Sequence, residues 1–412
     1  MQYFTFLGTG GKNGYREACT YFENEPEEIE IARYLQEVIY KKHADEISEV
    51  LVFITPEVKE KTFPELRALL PDVKITEIML PADVDTEDFV KLLQEHLKQD
   101  GEALFDVTHS FRHLPMKFLF ALRYAEQMKN TKIRHIYYGM MKYYESAQEE
   151  CCITDVLNDY ETQKISSLLS QFDQSLTAQV ADWEGFVTTD QKVELFLQRL
   201  ADFNEMLELC EFDACLNIAQ RITETARSLT KEPDKYFMLL PLTQKISEKL
   251  RGVLSHPKTK DQKSAMIRVL LDHHRFQNAV TFTDEFFREE LIRTALGNIS
   301  PKSSMAEVAS LLHLPDWLRK DFGYTCSQYI RDSLILGKDY VPPKWYDMES
   351  YVPFSDAGVK KIRFVTGNPE AQQTILDFFS EVRNPINHGN TLKNKERLPY
   401  LTEKMLSIVD AL

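Results

Sequence analysis

The spacing of apolar residues changes once along this 412-residue chain, and that change limits the folds open to it. Up to about residue 140, short apolar runs typical of strands alternate with amphipathic runs of helical spacing. Beyond about residue 160 only the helical spacing remains. The alternation predicts a doubly wound, largely parallel, Rossmann-like α/β domain over 1–160, and the remainder predicts an all-α domain over 161–412.

Individual elements follow from the same spacing. Strands are predicted at 3–7, 50–55, 73–80, 103–108 and 133–139. Helices are predicted at 27–43, 64–70, 86–98, 115–128, 191–210, 213–230, 235–253, 262–279, 281–296 and 400–412. Residues 299–368 are rich in Pro and Gly, which predicts a loop-rich insertion in the helical domain.

Composition indicates a soluble, globular protein, with 43% hydrophobic and 27% charged residues. No signal-like segment opens the sequence and no apolar run reaches membrane-spanning length, so we expect a cytoplasmic protein with no membrane partner. The six cysteines lack C-x-x-C spacing, which argues against a zinc site. For the adjacent Cys151 and Cys152, a place in a buried strand is favoured over a redox role.

The net charge of −15 restricts how this chain can bind a polyanion. Proteins that contact phosphates normally present a basic surface. Any site for nucleic acid must therefore be a local basic pocket. The acidic balance and the lack of a basic recognition helix also argue against DNA as a partner.

The segment 381–389, E-V-R-N-P-I-N-H-G, carries the residue types of a ribonuclease site that needs no metal. Arg383 stays charged and offers a planar set of donors to phosphate oxygens, and His388 can move protons near neutral pH. Asn384 and Asn387 are candidates for orienting His388 or the scissile phosphate. RNA supplies its own nucleophile, the 2′-hydroxyl, so catalysis needs positioning, proton transfer and charge stabilisation. Pro385 predicts that Arg383 lies at a helix end or kink.

Spacing alone does not identify this site, because the chain has three R-x-x-x-x-H matches. Arg251…His256 and Arg268…His273 have apolar or glycine neighbours, and we interpret both as structural. For Arg383 and His388 the structural alternative is a salt-bridged Arg and a His that caps a helix C-terminus.

Two loops are candidates for a ligand site. In an open parallel sheet, ligands bind beyond the carboxyl ends of strands where the winding direction reverses. Glycines and the free N–H groups at a helix start favour anions there. The candidate ligand-binding residues are Gly8, Thr9, Gly10, Lys12, Asn13, Asp106, Thr108, His109, Ser110, Phe111 and Arg112.

Each of these candidates has a competing interpretation. A dinucleotide-binding loop is the rival for the first loop, although Gly8, Gly10 and Gly14 do not have G-x-G-x-x-G spacing. In the second loop, Asp106 can instead cap the following turn, and His109 can be a structural histidine.

The second loop, D-V-T-H-S-F-R-H-L-P, resembles the D-x-T-H-G-F-R-x-x-P signature of CARF domains in CRISPR-associated proteins of type III systems. It departs from that signature at Ser110, where the family usually has Gly. The opening F-L-G-T-G is also similar to the start of this family. The 383–389 segment resembles the HEPN nuclease motif, in which a polar residue follows the Arg and a small residue often follows the His.

This resemblance implies a CARF sensor followed by a HEPN ribonuclease. Its allosteric activator would be a cyclic oligoadenylate, with tetra-adenylate expected over hexa-adenylate, and its substrate single-stranded RNA. It implies a homodimer or higher homo-oligomer whose composite active site joins two copies of the motif, with no cofactor and no metal. Two alternatives stay open: a ligand-responsive regulator without nuclease activity, and a CARF protein that degrades its cyclic ligand.

Overall fold

The computed structural model describes residues 1–10, 14–81, 83–108, 113–142, 149–179, 190–297, 299, 303–312, 314–337, 348–387 and 395–412. The chain divides into two compact units, one formed mainly by Met1–Lys164 and the other mainly by the residues from Ile165 onward. The first unit is mixed α/β and the second is helical. This is the order of architectures that the change in apolar spacing predicts.

One sheet organises the first unit, with eight strands among the residues described. The strands are β1 (Gln2–Phe6), β2 (Ala18–Phe22), β3 (Glu25–Ala32), β4 (Glu49–Ile54), β5 (Lys74–Met79), β6 (Glu102–Asp106), β7 (Lys132–Lys142) and β8 (Glu150–Asp155). Their order in the sheet is β3-β2-β8-β7-β6-β1-β4-β5. Pairing is parallel from β7 through β6, β1 and β4 to β5 and between β2 and β8, while β2–β3 and β7–β8 are antiparallel.

Helices cover both faces of this sheet, because successive side chains of a strand point to opposite sides. They are α1 (Leu35–Lys42), α2 (Pro56–Lys61), α3 (Phe63–Leu69), α4 (Thr86–His96) and α5 (His113–Lys129). Phe4 and Phe6 pack with α4 and α5 on one face, and Tyr3 packs with α1 and α3 on the other. The doubly wound arrangement predicted from the sequence is therefore confirmed.

One predicted helix in this unit was wrong in its first half. The prediction covered 27–43, but Glu25–Ala32 is strand β3 and only Leu35–Lys42 is helical. The predicted strand at Cys151 and Cys152 is confirmed, since both thiols are buried in β8. Burial raises the pKa of the Cys151 thiol to about 11, which keeps it protonated and unreactive near neutral pH.

The helical unit is built around one long, buried helix, Phe276–Leu296. Helix α6 (Leu157–Ser175) begins in the first unit and continues into the second. The helices that follow are α7 (Gln191–Glu208), α8 (Phe212–Leu229), α9 (Leu240–Leu254), α10 (Thr259–Asp272), α11 (Phe276–Leu296), α12 (Met305–Leu311), α13 (Asp316–Arg319), α14 (Phe322–Tyr329), α15 (Met348–Tyr351), α16 (Asp356–Thr366), α17 (Pro369–Asp377), α18 (Asn384–Asn387) and α19 (Arg397–Ala411). Among the described residues there are also two π-helical segments, π1 (Ile330–Ile335) and π2 (Phe378–Arg383). Helix α11 packs against α10, α14, α16 and α19. None of the described helices is long and apolar enough to cross a bilayer.

Two predictions for this unit were wrong in detail. The break between the helices predicted at 262–279 and 281–296 lies earlier than predicted, at residues 273–275, so α11 is longer than expected. The stretch 299–368 contains α12 to α16 and π1, so its described part is far more helical than its Pro and Gly content suggests.

Candidate functional site

The two candidate loops of the α/β unit begin side by side. Strands β4 and β5 lie on one side of β1 in the sheet, and β6 and β7 lie on the other, so the winding reverses between β1 and β6. Thr5 is paired with Asp106 in the parallel register of these two strands. The carboxyl ends of β1 and β6 therefore open the same crevice.

Asp106 lies beneath this crevice, with only 1% of its surface exposed. Its Oδ2 accepts a hydrogen bond from the Thr5 hydroxyl at 2.6 Å, and its Oδ1 accepts one from the Thr108 backbone N–H at 3.0 Å. The Gly139 N–H in turn donates to Thr108 Oγ1 at 2.7 Å, which ties the loop to β7. Asp106 thus caps the turn after β6, the alternative role that the sequence left open for it.

Burial has the largest effect on the pKa of the Asp106 carboxyl. It raises the pKa of Asp106 to about 6, against the lowering effect of the hydrogen bonds from Thr108 and Thr5. Near neutral pH the site therefore holds a carboxylate that is poorly compensated by its neighbours.

The glycine-rich loop after β1 is held close to its own continuation. The Gly8 N–H donates to the Tyr15 hydroxyl at 3.0 Å, and Thr62 Oγ1 donates to the Gly8 carbonyl at 2.8 Å. Gly10 has a φ of +68°, and a Cβ there would lie 2.5 Å from the backbone of Gly14 and Tyr15. Only glycine satisfies both conditions at this position.

This loop leads into strand β2 and not into a helix. A dinucleotide-binding loop needs the N-terminus of a helix immediately after the glycines to hold the pyrophosphate. The rival interpretation of the first loop is thereby contradicted.

The candidates are unevenly covered by the structure. Gly8, Thr9, Gly10, Asp106 and Thr108 are described, and all except Asp106 are half-buried at the crevice. The remaining candidates of these loops lie outside the described residues: Lys12, Asn13, His109, Ser110, Phe111 and Arg112.

The R-N-P-I-N segment lies in the helical unit at a change of helix type. The π-helical segment π2 ends at Arg383, and Asn384–Asn387 forms the short helix α18. Arg383 was predicted at a helix end or kink; it lies at a change of helix type, in helical backbone that continues through Asn387. His388 lies outside the described residues, and for Asn387 only the backbone is described.

A buried carboxylate on α11 fixes the guanidinium of Arg383. The Nε of Arg383 donates to Asp284 Oδ2 at 2.8 Å, and the Nη1 of Arg383 donates to Asn384 Oδ1 at 3.2 Å. Asp284 is 4% exposed and also pairs with Arg288, one turn further along α11, at 2.7 and 3.1 Å. Nη2 of Arg383 makes no hydrogen bond to any of the described residues.

Arg383 and Asn384 line a cavity of about 340 Å³. The other lining residues are Arg288, Tyr324, Gln328, Arg331, Leu336, Ile375, Leu376, Phe379 and Ser380. Three guanidinium groups thus share one cavity in a chain whose net charge is −15. We call this cavity the arginine pocket.

No protein-family model matches this sequence, and no curated protein does.

The other two R-x-x-x-x-H pairs make structural contacts. Arg251 donates to Ser247 Oγ on its own helix. Arg268 pairs with Glu403 and Asp410 on α19. The ring of His273 bonds the Val269 carbonyl through Nδ1 at 2.6 Å.

Sequence reasoning missed Arg288, Arg331 and Tyr324. The four-residue spacing of Asp284 and Arg288 is a helical ion-pair signal that was available. No local signal relates Arg331 to Arg383, because the two meet only through the packing of π1 and π2 around one cavity.

Proposed function

We propose that this protein is a metal-independent endoribonuclease of single-stranded RNA that a cyclic oligoadenylate activates, acting in type III CRISPR antiviral defence. The proposed domains are a CARF sensor in the α/β unit and a HEPN nuclease in the helical unit. The observation that carries the proposal is the arginine pocket, where a buried carboxylate holds Arg383 with part of its guanidinium uncommitted.

Arg383 is the proposed transition-state stabiliser. Attack on a phosphodiester places an additional negative charge on the phosphoryl oxygens. A guanidinium whose orientation is already fixed by Asp284 needs little reorganisation to meet that charge. The remaining N–H groups of Arg383 supply the donors.

His388 is the proposed proton-transfer group. In the proposed step the 2′-hydroxyl gives its proton to an imidazole and its oxygen attacks the adjacent phosphorus. The bond to the 5′-oxygen breaks, and that oxygen takes a proton from a second imidazole. The products are a 2′,3′-cyclic phosphate and a 5′-hydroxyl end, and no redox change occurs.

Two imidazoles imply two copies of the motif, so we propose that the protein acts as a homodimer. An apolar stripe along α5 is available for such an interface. Met116, Phe120, Tyr124 and Met128 follow one another at four-residue spacing, and Phe120 is 66% exposed. Exposed apolar faces of this kind mark interaction surfaces, and a twofold axis lets one face pair with itself.

For the activator we propose the crevice between β1 and β6. Its glycine-lined backbone at Gly8 and Gly10 lets phosphate groups approach closely. Arg112, which follows Thr108 in the same loop, would add the positive charge that a ligand with several phosphates requires.

The test is to incubate labelled single-stranded RNA with the protein in EDTA, with and without cyclic tetra- and hexa-adenylate. Ligand-dependent cleavage that His388→Ala and Arg383→Ala abolish is the expected result. The control is Arg268→Ala, which removes a cation paired elsewhere in the same unit.

Other outcomes point to the alternatives. Tight ligand binding without any loss of RNA would identify a regulator, and loss of the cyclic ligand alone would identify a ligand-degrading protein. Either result contradicts the nuclease proposal.

A further inference from the structure

The arginine pocket has more cationic groups than the proposed chemistry uses. Arg383 suffices to stabilise one transition state, yet Arg288 and Arg331 line the same cavity. We propose that Arg288 and Arg331 bind a phosphate of the RNA strand next to the scissile one, and that Tyr324 stacks on a neighbouring base. This inference rests on the proposed function and names the substrate contacts of that site.

Aromatic rings hold the two additional guanidinium groups in place. The Cζ of Arg331 lies 4.8 Å from the ring centre of Phe379, and the Cζ of Arg288 lies 5.9 Å from it. Arg288 also lies 4.7 Å from the ring centre of Tyr324. Stacking keeps the planes of the guanidinium groups fixed. Asp284 accepts from Nε and Nη2 of Arg288 and Asp332 accepts from Nε of Arg331, so a phosphate would meet the remaining Nη N–H groups.

The charges around the pocket leave it positive. Asp284 is shared by Arg288 and Arg383, and Asp332 pairs with Arg331 at 2.9 Å. Among these described groups, three cations stand against two anions, a net charge of +1. An acidic protein that binds a polyanion needs a local site of this sign.

Both π-helical segments contribute to this one cavity. Arg331 lies on π1, and Phe379, Ser380 and Arg383 lie on π2. π-helical turns are rare and are frequently found at functional sites. Their convergence is an observation independent of charge, and it marks the same place.

Tyr324 is suited to stacking on a base. The residue is 50% exposed, and the guanidinium of Arg288 lies over its ring. Base stacking on an aromatic ring tolerates any sequence, and it accompanies backbone contacts in proteins that bind single strands. The cavity volume of about 340 Å³ falls in the range of small-ligand pockets.

The experiment measures binding separately from cleavage. The probe is a fluorescent oligoribonucleotide with 2′-O-methyl groups throughout, which lacks the nucleophile and cannot be cleaved by the proposed step. Its affinity is measured by anisotropy at several salt concentrations, with and without cyclic tetra-adenylate, for full-length wild type, Arg331→Ala and Tyr324→Ala. Arg268→Ala is the matched control, since it also removes one ion-paired arginine from the helical unit.

We expect Arg331→Ala to weaken binding about tenfold and to lower the slope of log affinity against log salt by about 0.7, the value for one phosphate contact on a single strand. Tyr324→Ala should weaken binding without changing that slope. Equal affinity for Arg331→Ala and Arg268→Ala would overturn the inference, as would wild-type protein that does not bind the probe under either condition.

Two further comparisons distinguish a folding defect from a loss of RNA binding, and RNA binding from RNA cleavage. If Arg331→Ala does not fold, Arg331→Lys replaces it, because the lysine keeps the charge but loses the forked donors, and weaker binding is again expected. If wild type binds the probe through Arg331 but cleaves no RNA, the nuclease proposal fails and the binding pocket stands.

Discussion

Asp106 shows how one buried carboxyl can couple pH to the stability of a candidate ligand site. The pKa of this carboxyl is raised from 3.8 to about 6 by burial. Between about pH 4 and pH 6 the unfolded chain loses this proton while the folded chain keeps it, so the free energy of unfolding falls as pH rises. Above pH 6 both states are ionised and the loss is complete, at about 3 kcal/mol for a shift of this size.

Asp106→Asn is expected to remove this pH dependence. The amide keeps an oxygen for the Thr108 N–H and gains N–H groups that can donate to Thr5 Oγ1, so the local hydrogen bonds have replacements. The measurement is urea unfolding of the full-length chain at several pH values between about 4.5 and 7. Over this range the free energy of unfolding should decline by about 2 kcal/mol more in wild type than in the variant.

Asp72→Asn is the control, because Asp72 is an exposed carboxyl of the same unit. It should retain the wild-type dependence. A decline of equal size in Asp106→Asn and wild type would show that Asp106 does not set the pH response.

At the scale of elements, the π-helical segment π2 stands out because it ends two residues before Pro385. Proline offers no N–H and its ring crowds the carbonyl of residue 381, so a regular α-helical turn is disfavoured there. The widened turn delivers Arg383 to Asp284. Pro385 therefore contributes to the orientation of the Arg383 guanidinium.

Pro385→Ala is expected to let this turn relax to α-helical spacing. A shift of one residue rotates a side chain by about 100° around the helix, which would take Arg383 away from Asp284. We expect RNA cleavage to fall about a hundredfold while the melting temperature stays equal or rises, because a helical proline is costly. Pro369→Ala, at the first turn of α17 where proline is tolerated, is the control. Wild-type activity in Pro385→Ala would contradict this account.

Helix α5 carries the exposed apolar stripe that we propose as the dimer interface. Phe120→Glu places a charge in the centre of the exposed apolar stripe and should weaken dimerisation at least about tenfold. Light scattering coupled to size-exclusion chromatography measures the mass as a function of concentration. Leu69→Glu makes the same kind of change at an exposed apolar residue of α3, and should leave the mass unchanged. Equal masses for the two variants would place the interface elsewhere.

Elements that the sequence predicted well are those whose apolar spacing agrees with their burial. Strand β4 is buried along its whole length and α4 has a complete capping box, and both were predicted within two residues of their ends.

The helix predicted over 27–43 was wrong because Ile31 fits the spacing of the apolar face of α1, although it lies exposed on edge strand β3. In the second unit, α10 and α11 are separated by His274 with a φ of +57°. A break made by a residue other than Gly or Pro leaves no sequence signal.

The candidate site was predictable only where it is local. The turn after β6 and the irregular helical turn before Pro385 follow from residues adjacent in sequence, so both could be predicted. The ion pair of Arg383 with Asp284 joins residues 99 positions apart. Because that contact depends on how π2 packs on α11, no local pattern specifies it.

If RNA is the substrate, as we propose, the net charge of the whole molecule and the arginine pocket should act on it in opposite directions. The chain carries a net charge of −15, so RNA approaching from a distance is repelled. On this proposal the pocket would attract phosphates only at close range, where added salt screens the contact less than it screens the long-range field. We therefore expect the association rate for the uncleavable 2′-O-methyl oligonucleotide to rise with salt at low ionic strength.

Equilibrium affinity should respond differently from the association rate. Each phosphate contact in the pocket releases counterions, so affinity falls with salt once the long-range repulsion is screened. Stopped-flow fluorescence from about 0.01 to 0.3 M salt, a range over which the Debye length shrinks from about 30 Å to below 10 Å, separates the two effects. The association rate should pass through a maximum, and Arg331→Ala should retain the rising part because that part comes from the net charge. An association rate that falls steadily from the lowest salt would show that a basic surface of larger extent than the arginine pocket steers RNA to this protein.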